Sequence, residues 1–116
     1  VTEFICGGAL GFDMLAAHVI ISKKAEYPIT LKLALPCRDQ SKRWNSALKS
    51  EYEGILSCAD EIVYLSDKYV TGCMHARDKY MVDNSDIVVA FYRGTTGGTQ
   101  YTVQYARESE KQMMVV

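Results

Sequence analysis

Cys6-Gly7-Gly8-Ala9-Leu10-Gly11-Phe12-Asp13 follows directly on the apolar run Thr2–Cys6 and opens a segment from Phe12 to Ala25. In that segment Leu15, Ala16, Val19 and Ile20 recur at helical spacing. A short apolar run, then glycines, then a helical stripe is the pattern of a strand-to-helix turn. Glycine just after a strand lets the backbone turn tightly and come close to a ligand. The helix that follows presents free N–H groups and the positive end of its dipole, which suits a phosphate. Gly7, Gly8 and Gly11 are therefore candidate ligand-binding positions. Asp13 is a candidate helix cap or partner of a ribose hydroxyl.

The alternation continues along the chain. Strand character recurs at Thr2–Cys6, Thr30–Leu35, Glu61–Leu65, Asp86–Tyr92 and Gln112–Val116. Most of these runs are continuous rather than alternating, which predicts strands covered on both faces. After the helix from Phe12 to Ala25, a second helix carries Trp44, Leu48, Tyr52, Ile55 and Ala59. A third spans about Met74 to Asn84, and a fourth runs from near Thr99 to about Lys111. Strands alternating with helices predict right-handed crossovers and an α/β three-layer αβα domain with a mainly parallel sheet. A length of 116 residues suits one such domain. The chain starts at Val1 almost inside a strand and stops at Val116 inside another apolar run, so an incomplete end is expected.

Ligands of open α/β sheets bind beyond the carboxyl ends of the strands. A second glycine-rich loop stands at such an end, Arg93-Gly94-Thr95-Thr96-Gly97-Gly98-Thr99. Gly94, Gly97 and Gly98 supply open backbone, and Thr99 is a natural N-cap with a hydroxyl to donate. A third end reads Pro36-Cys37-Arg38-Asp39-Gln40-Ser41-Lys42-Arg43-Trp44. Pro36 ends the strand. Gln40 could read an amide or base edge, and Trp44 could stack on a ring, although Trp44 also starts an apolar stripe and fits the core. On the third helix Arg77 and Lys79 are two apart and face different ways. Arg77 could clamp a phosphate, while Asp78 and Lys79 read as a solvated face. His18 reads as structural, and Met81 and Val82 as core.

Composition narrows the classes. Hydrophobic residues make up 48% and charged residues 23%, with a formal net charge of -1, so the basic footprint of a nucleic-acid binder is not evident. The four cysteines, Cys6, Cys37, Cys58 and Cys73, show no Cys-x-x-Cys spacing and read as buried free thiols of a reducing compartment. No apolar stretch is long enough to span a bilayer, and a cytoplasmic location is expected. No cofactor motif, metal cluster, carboxylate pair or serine triad stands out.

Taken in order, Gly7-Gly8-Ala9-Leu10-Gly11-Phe12-Asp13, Leu35-Pro36-Cys37 with Gln40 and Trp44, Arg77 with Tyr80-Met81-Val82-Asp83-Asn84-Ser85-Asp86, and Gly97-Gly98-Thr99 with Tyr105-Ala106 resemble the YpsA-like branch of the SLOG superfamily. The resemblance implies a Rossmann-like fold and binding of a nucleotide or nucleotide-derived molecule, by a sensor or a processing enzyme. The family pattern begins with another strand and helix bearing a glycine loop, and the resemblance implies that this unit is missing ahead of Val1. The related lonely-guy phosphoribohydrolases carry a helix arginine, matched by Arg77, and a Pro-Gly-Gly-x-Gly-Thr-x-x-Glu loop. Here Gly98-Thr99 match Gly-Thr, but Gly94 stands at the proline and Thr102 at the glutamate that serves bond cleavage. The expectation is therefore a binding or sensing module for a nucleotide-like ligand. The alternatives are a hydrolase in which Asp13 or Asp83 replaces the glutamate, and a protein-contact scaffold linked to bacterial cell division. Parallel-sheet domains pair through helix faces, which makes a homodimer compatible with the pattern.

Overall fold

The computed structural model of the chain describes residues 1–92 and 98–116. The elements are β1 (Glu3–Cys6), α1 (Phe12–Lys23), β2 (Thr30–Leu35), α2 (Ser46–Cys58), β3 (Glu61–Tyr64), α3 (Cys73–Asp83), β4 (Ile87–Ala90), α4 (Gly98–Glu108) and β5 (Gln112–Val115). All strand pairs are parallel, as the continuous apolar runs predict. The strands do not form one sheet, however. Among the described residues β1, β2 and β3 pair in that order, and β4 pairs with β5.

One core lies on the face of the first sheet covered by α1 and α2. Leu31, Leu33 and Leu35 of β2 point into it, where they meet Met14, Ala17 and Ile20 of α1 and Tyr52 and Ile55 of α2. The opposite face belongs to α3, where Lys32 of β2 lies over the Tyr80 ring. α4 packs on α3, and Val82, Val88 and Ala106 form a second, smaller core there. Helices thus flank the sheets on both sides in a Rossmann-like αβα arrangement.

Local chemistry sets the element ends. Asn45 caps α2, its Oδ1 accepting from the Leu48 N–H at 2.9 Å. At the lower ends of the strands Asp60 ties three elements together. Its carboxylate accepts from the Leu31 N–H at 2.8 Å and from Lys24 Nζ at 2.7 Å, while Lys24 also donates to the Cys58 carbonyl. The hydrogen bonds from Lys24 and Leu31 hold the Asp60 carboxyl below the ordinary aspartate range.

Several expected faces differ. α1 buries Met14, Ala17 and Ile20, whereas Leu15 and Val19 lie exposed, at 61% and 52% of full accessibility. The segment is apolar nearly all round, so spacing alone does not choose the face. His18 is exposed, and its Nε2 forms a structural contact between helices by hydrogen-bonding to Glu51 of α2 at 2.8 Å. Trp44 precedes α2 and packs edge-on against Tyr52, its ring centroid 5.1 Å away. Cys58 is exposed, while Cys6, Cys37 and Cys73 are buried free thiols. No described helix is long and apolar enough to cross a membrane.

Two measurements check this account. Leu33→Ala, at a fully buried position, is expected to cost about 2–5 kcal/mol in urea unfolding, and Asn45→Ala only about 1 kcal/mol. In the folded protein a thiol reagent should label Cys58 alone, because burial pushes the Cys6 thiol up to about 12 and the Cys37 thiol up to about 11.

Candidate functional site

The rim of the sheets is organised around the loop after β1. Gly8 has φ +69, the left-handed region that favours glycine, and a Cβ there would run into the Leu35 side chain. At Gly7 a Cβ would meet Asp13 Oδ2 at 2.8 Å and Arg77 Nη1 at 3.0 Å. Gly8 thus needs hydrogen in place of a side chain, whereas a Cβ at Gly7 would displace the ends of the Asp13 and Arg77 side chains.

Arg77 reaches this loop from α3. Its Nη1 donates to the Gly7 carbonyl at 2.5 Å, and its Nε donates to Asp78 Oδ1 at 2.7 Å. The arginine is 5% exposed, and Asp78 is also buried, contrary to its expected solvated position. A guanidinium hidden from water needs such partners, because an unpaired buried charge is costly. With these two contacts Arg77 holds the loop while also lining the cavity described below. Lys79 faces outward as its spacing predicts and pairs with Asp83.

Asp13 does not cap α1 with its side chain, since the N-cap Gly11 has no side-chain cap bond. Its Oδ2 instead accepts from the Ala9 N–H, four residues back, at 3.3 Å. Burial raises its pKa above the ordinary 3.8, against the opposing pull of Arg77 and the Ala9 N–H. Asp83, the other proposed substitute for a catalytic glutamate, is bound to Tyr105 Oη at 2.6 Å and to Lys79 on the α3–α4 surface. It does not line the rim cavity described next.

A cavity of about 420 Å³ opens between the two sheets at this rim. Ala9, Leu10, Phe12 and Asp13 line it from the first glycine loop and the start of α1. Arg77 and Asp78 line it from α3, and Thr99 and Thr102 from α4. Phe12 and Phe91 stack across it with ring centroids 5.9 Å apart. The first glycine loop and the beginning of α4 therefore open on one space. Thr99 is the second residue of α4 rather than its cap, and Gly98 is the first. Gly94 and Gly97 lie outside the described residues.

The third predicted group is held elsewhere. Gln40 Nε2 donates to the Gly8 carbonyl and to Tyr52 Oη, each at 3.2 Å. Trp44 packs on the first core, and Pro36 is fully buried. Gln40 braces the loop through the Gly8 carbonyl, and none of the three residues lines the cavity. Asp78 was missed as a site residue, since neither its burial nor its bond to Arg77 follows from helical spacing. Among the described residues no group of three or more His, Cys, Asp or Glu could hold a metal ion.

The model of the YspA SLOG family matches residues 1–116. The chain belongs to this family. It is 36% identical over 120 residues to the SPbeta prophage-derived protein YoqJ of Bacillus subtilis, a match covering 92% of the chain and 70% of YoqJ. A UPF0398 protein of Oceanobacillus iheyensis is 33% identical over 84 residues, covering 71% of the chain and 46% of that protein. One from Halalkalibacterium halodurans is 28% identical over 113 residues, covering 94% of the chain and 60% of that protein. The chain thus spans roughly half to two thirds of the length of the curated relatives it matches.

The raised Asp13 pKa fixes a sign. A carboxyl whose folded pKa lies above its unfolded value binds its proton more tightly in the folded state. Its contribution to stability therefore falls as pH rises from about 4 through the elevated value. Asp13→Asn should flatten that part of the stability–pH curve and leave stability at pH 7 equal to or above that of the parent, measured by urea unfolding at a series of pH values.

Proposed function

We propose that this SLOG-family chain binds a nucleotide or nucleotide-derived phosphate ligand in the rim cavity, as a binding or sensing module. The observation that carries this reading is the opening of the first glycine loop and the start of α4 on the same space. Helix starts offer N–H donors and a positive dipole end to an anion. The charges divide the cavity. Asp13 and Asp78 surround the single guanidinium of Arg77, so that end carries more negative than positive charge and suits hydroxyl donors such as those of a ribose. The α4 end, with Thr99 and its neighbouring N–H groups, suits the phosphate. Aromatic Phe12 and Phe91 line the same space and could cover a base.

Calorimetric titration with nucleoside monophosphates, nucleoside triphosphates and ADP-ribose tests the proposal. Saturable binding of at least one is expected. Thr99→Val should weaken it by about tenfold, the value of one lost hydrogen bond to a charged group. Arg77→Ala is a poorer probe, since it removes the partner of the Gly7 carbonyl and of Asp78. No heat change across the whole panel would overturn the proposal.

A second reading, cleavage of an N-glycosidic bond, is favoured by one observation: Asp13 is a carboxyl of raised pKa in the cavity. Thr102 lines the cavity where the related hydrolases have their glutamate, and it cannot supply a carboxylate. Chromatography of each nucleoside monophosphate after long incubation separates the two readings. Binding alone leaves the nucleotide intact, whereas a released base that disappears with Asp13→Asn would establish cleavage.

A further inference from the structure

The loop between β1 and α1 ties its polar groups to the protein itself. The Gly7 carbonyl accepts from Arg77 Nη1, and the Gly8 carbonyl accepts from Gln40 Nε2 at 3.2 Å. In a trans peptide the N–H points opposite to the C=O. With its carbonyl turned to Gln40, the Gly8–Ala9 peptide aims the Ala9 N–H the other way, where it meets Asp13 Oδ2 at 3.3 Å. Ala9 and Asp13 both line the rim cavity.

Asp13 is the second residue of α1, in the turn that carries the positive end of the helix dipole. Its carboxylate lies on the same side of Gly7 as the Arg77 guanidinium. Burial opposes its charge, while Arg77 and the Ala9 N–H support it. Asp78 adds a second carboxylate, bonded to Arg77 Nε at 2.7 Å. The loop N–H and the guanidinium that an incoming anion would need at this end are therefore already engaged by the protein's own carboxylates.

The α4 end of the same cavity is built differently. Thr99 and Thr102 line it from α4, and the first turn of that helix has no acidic residue. Among the described residues, the carboxylates that line the cavity are Asp13 and Asp78, both at the α1 end. One space thus joins a helix start that carries an anion of its own to a helix start that carries none.

Resting on the reading that the cavity takes a phosphate ligand, we propose that Asp13 determines its charge specificity: the carboxylate fills the α1 end as a built-in anion, and the site takes ligands with phosphate at one end and neutral hydroxyls at the other. A phosphate ester of those hydroxyls would bring a second anion against Asp13 and Asp78, where the Ala9 N–H is already engaged. Selectivity of this kind works by repelling the wrong ligand, not by adding contacts to the right one. Asp13 then acts without touching the phosphate that does bind.

NMR titration of the intact protein at neutral pH tests this with inorganic phosphate and two nucleotides. Inorganic phosphate should shift the amide signals around Thr99 and leave those of Ala9 and Asp13 in place, whereas in Asp13→Asn it should shift both sets. Adenosine 5′-phosphate should bind at least about tenfold more tightly than adenosine 3′,5′-bisphosphate, and Asp13→Asn should narrow that ratio to about threefold or less. Asp13→Glu, which keeps the charge, should keep the preference. Asparagine can still accept from the Ala9 N–H, so a changed ratio reports lost charge and not a displaced loop. Phosphate shifts at Ale9 and Asp13 in the parent, or a parental ratio in Asp13→Asn, would overturn this inference and leave the phosphate reading standing. Phosphate shifts at neither helix start, with no binding of adenosine 5′-phosphate, would overturn that reading and the inference with it.

Discussion

The hydrogen bond from Arg77 to the Gly7 carbonyl is the contact on which the rim depends. It joins α3, which leads into the second sheet, to the loop that ends the first strand of the other sheet. Among the described residues no strand pairing performs that task. A glycine on one side suits the contact, because a Cβ at Gly7 would press on the guanidinium and on Asp13. It requires a carboxylate on the other, because a buried guanidinium needs a counter-charge, which Asp78 supplies from the adjacent position. The cavity floor follows from that arrangement, with Asp13 drawn toward the same cluster.

Much of the architecture is legible in the sequence, and the reason is local. Thr30–Leu35 is apolar save for Thr30 and Lys32, and it forms β2 with those bounds. The glycine run after Cys6 does mark a strand-to-helix turn, because Gly8 adopts a backbone angle that other residues avoid. What the sequence hides is long-range. α1 is apolar on too many sides for periodicity to say that Met14 and Ala17, rather than Leu15 and Val19, meet the sheet. Gln40 looks like a ligand contact in isolation, because its partner Gly8 is brought to it only by the crossover from β1 to β2, whereas Trp44 fits the core as its place in the apolar stripe suggests. Asp78 looks solvated until Arg77 is seen to be buried beside it.

The rule that a continuous apolar strand is covered on both faces succeeds for β2 and fails for β4 in this chain. The composition of β4 suits a central strand, with Ile87, Val88, Val89 and Ala90 in succession, yet only Val88 and Ala90 are buried. Composition alone therefore does not tell which faces of β4 are covered.

The opposite end of the first sheet is fastened by different means. There Asp60 gathers the start of β2, the approach to β3 and the residue that closes α1 through a single ionised carboxylate. A fastening of this type holds only while it keeps its charge. Its lowered pKa means that its support persists through mildly acidic solution and is lost as the proton returns. In strong acid, therefore, the tie at the strand starts is lost as Asp60 takes up its proton, whereas at the far end the bonds from Arg77 and Gln40 end on the Gly7 and Gly8 carbonyls, which do not titrate.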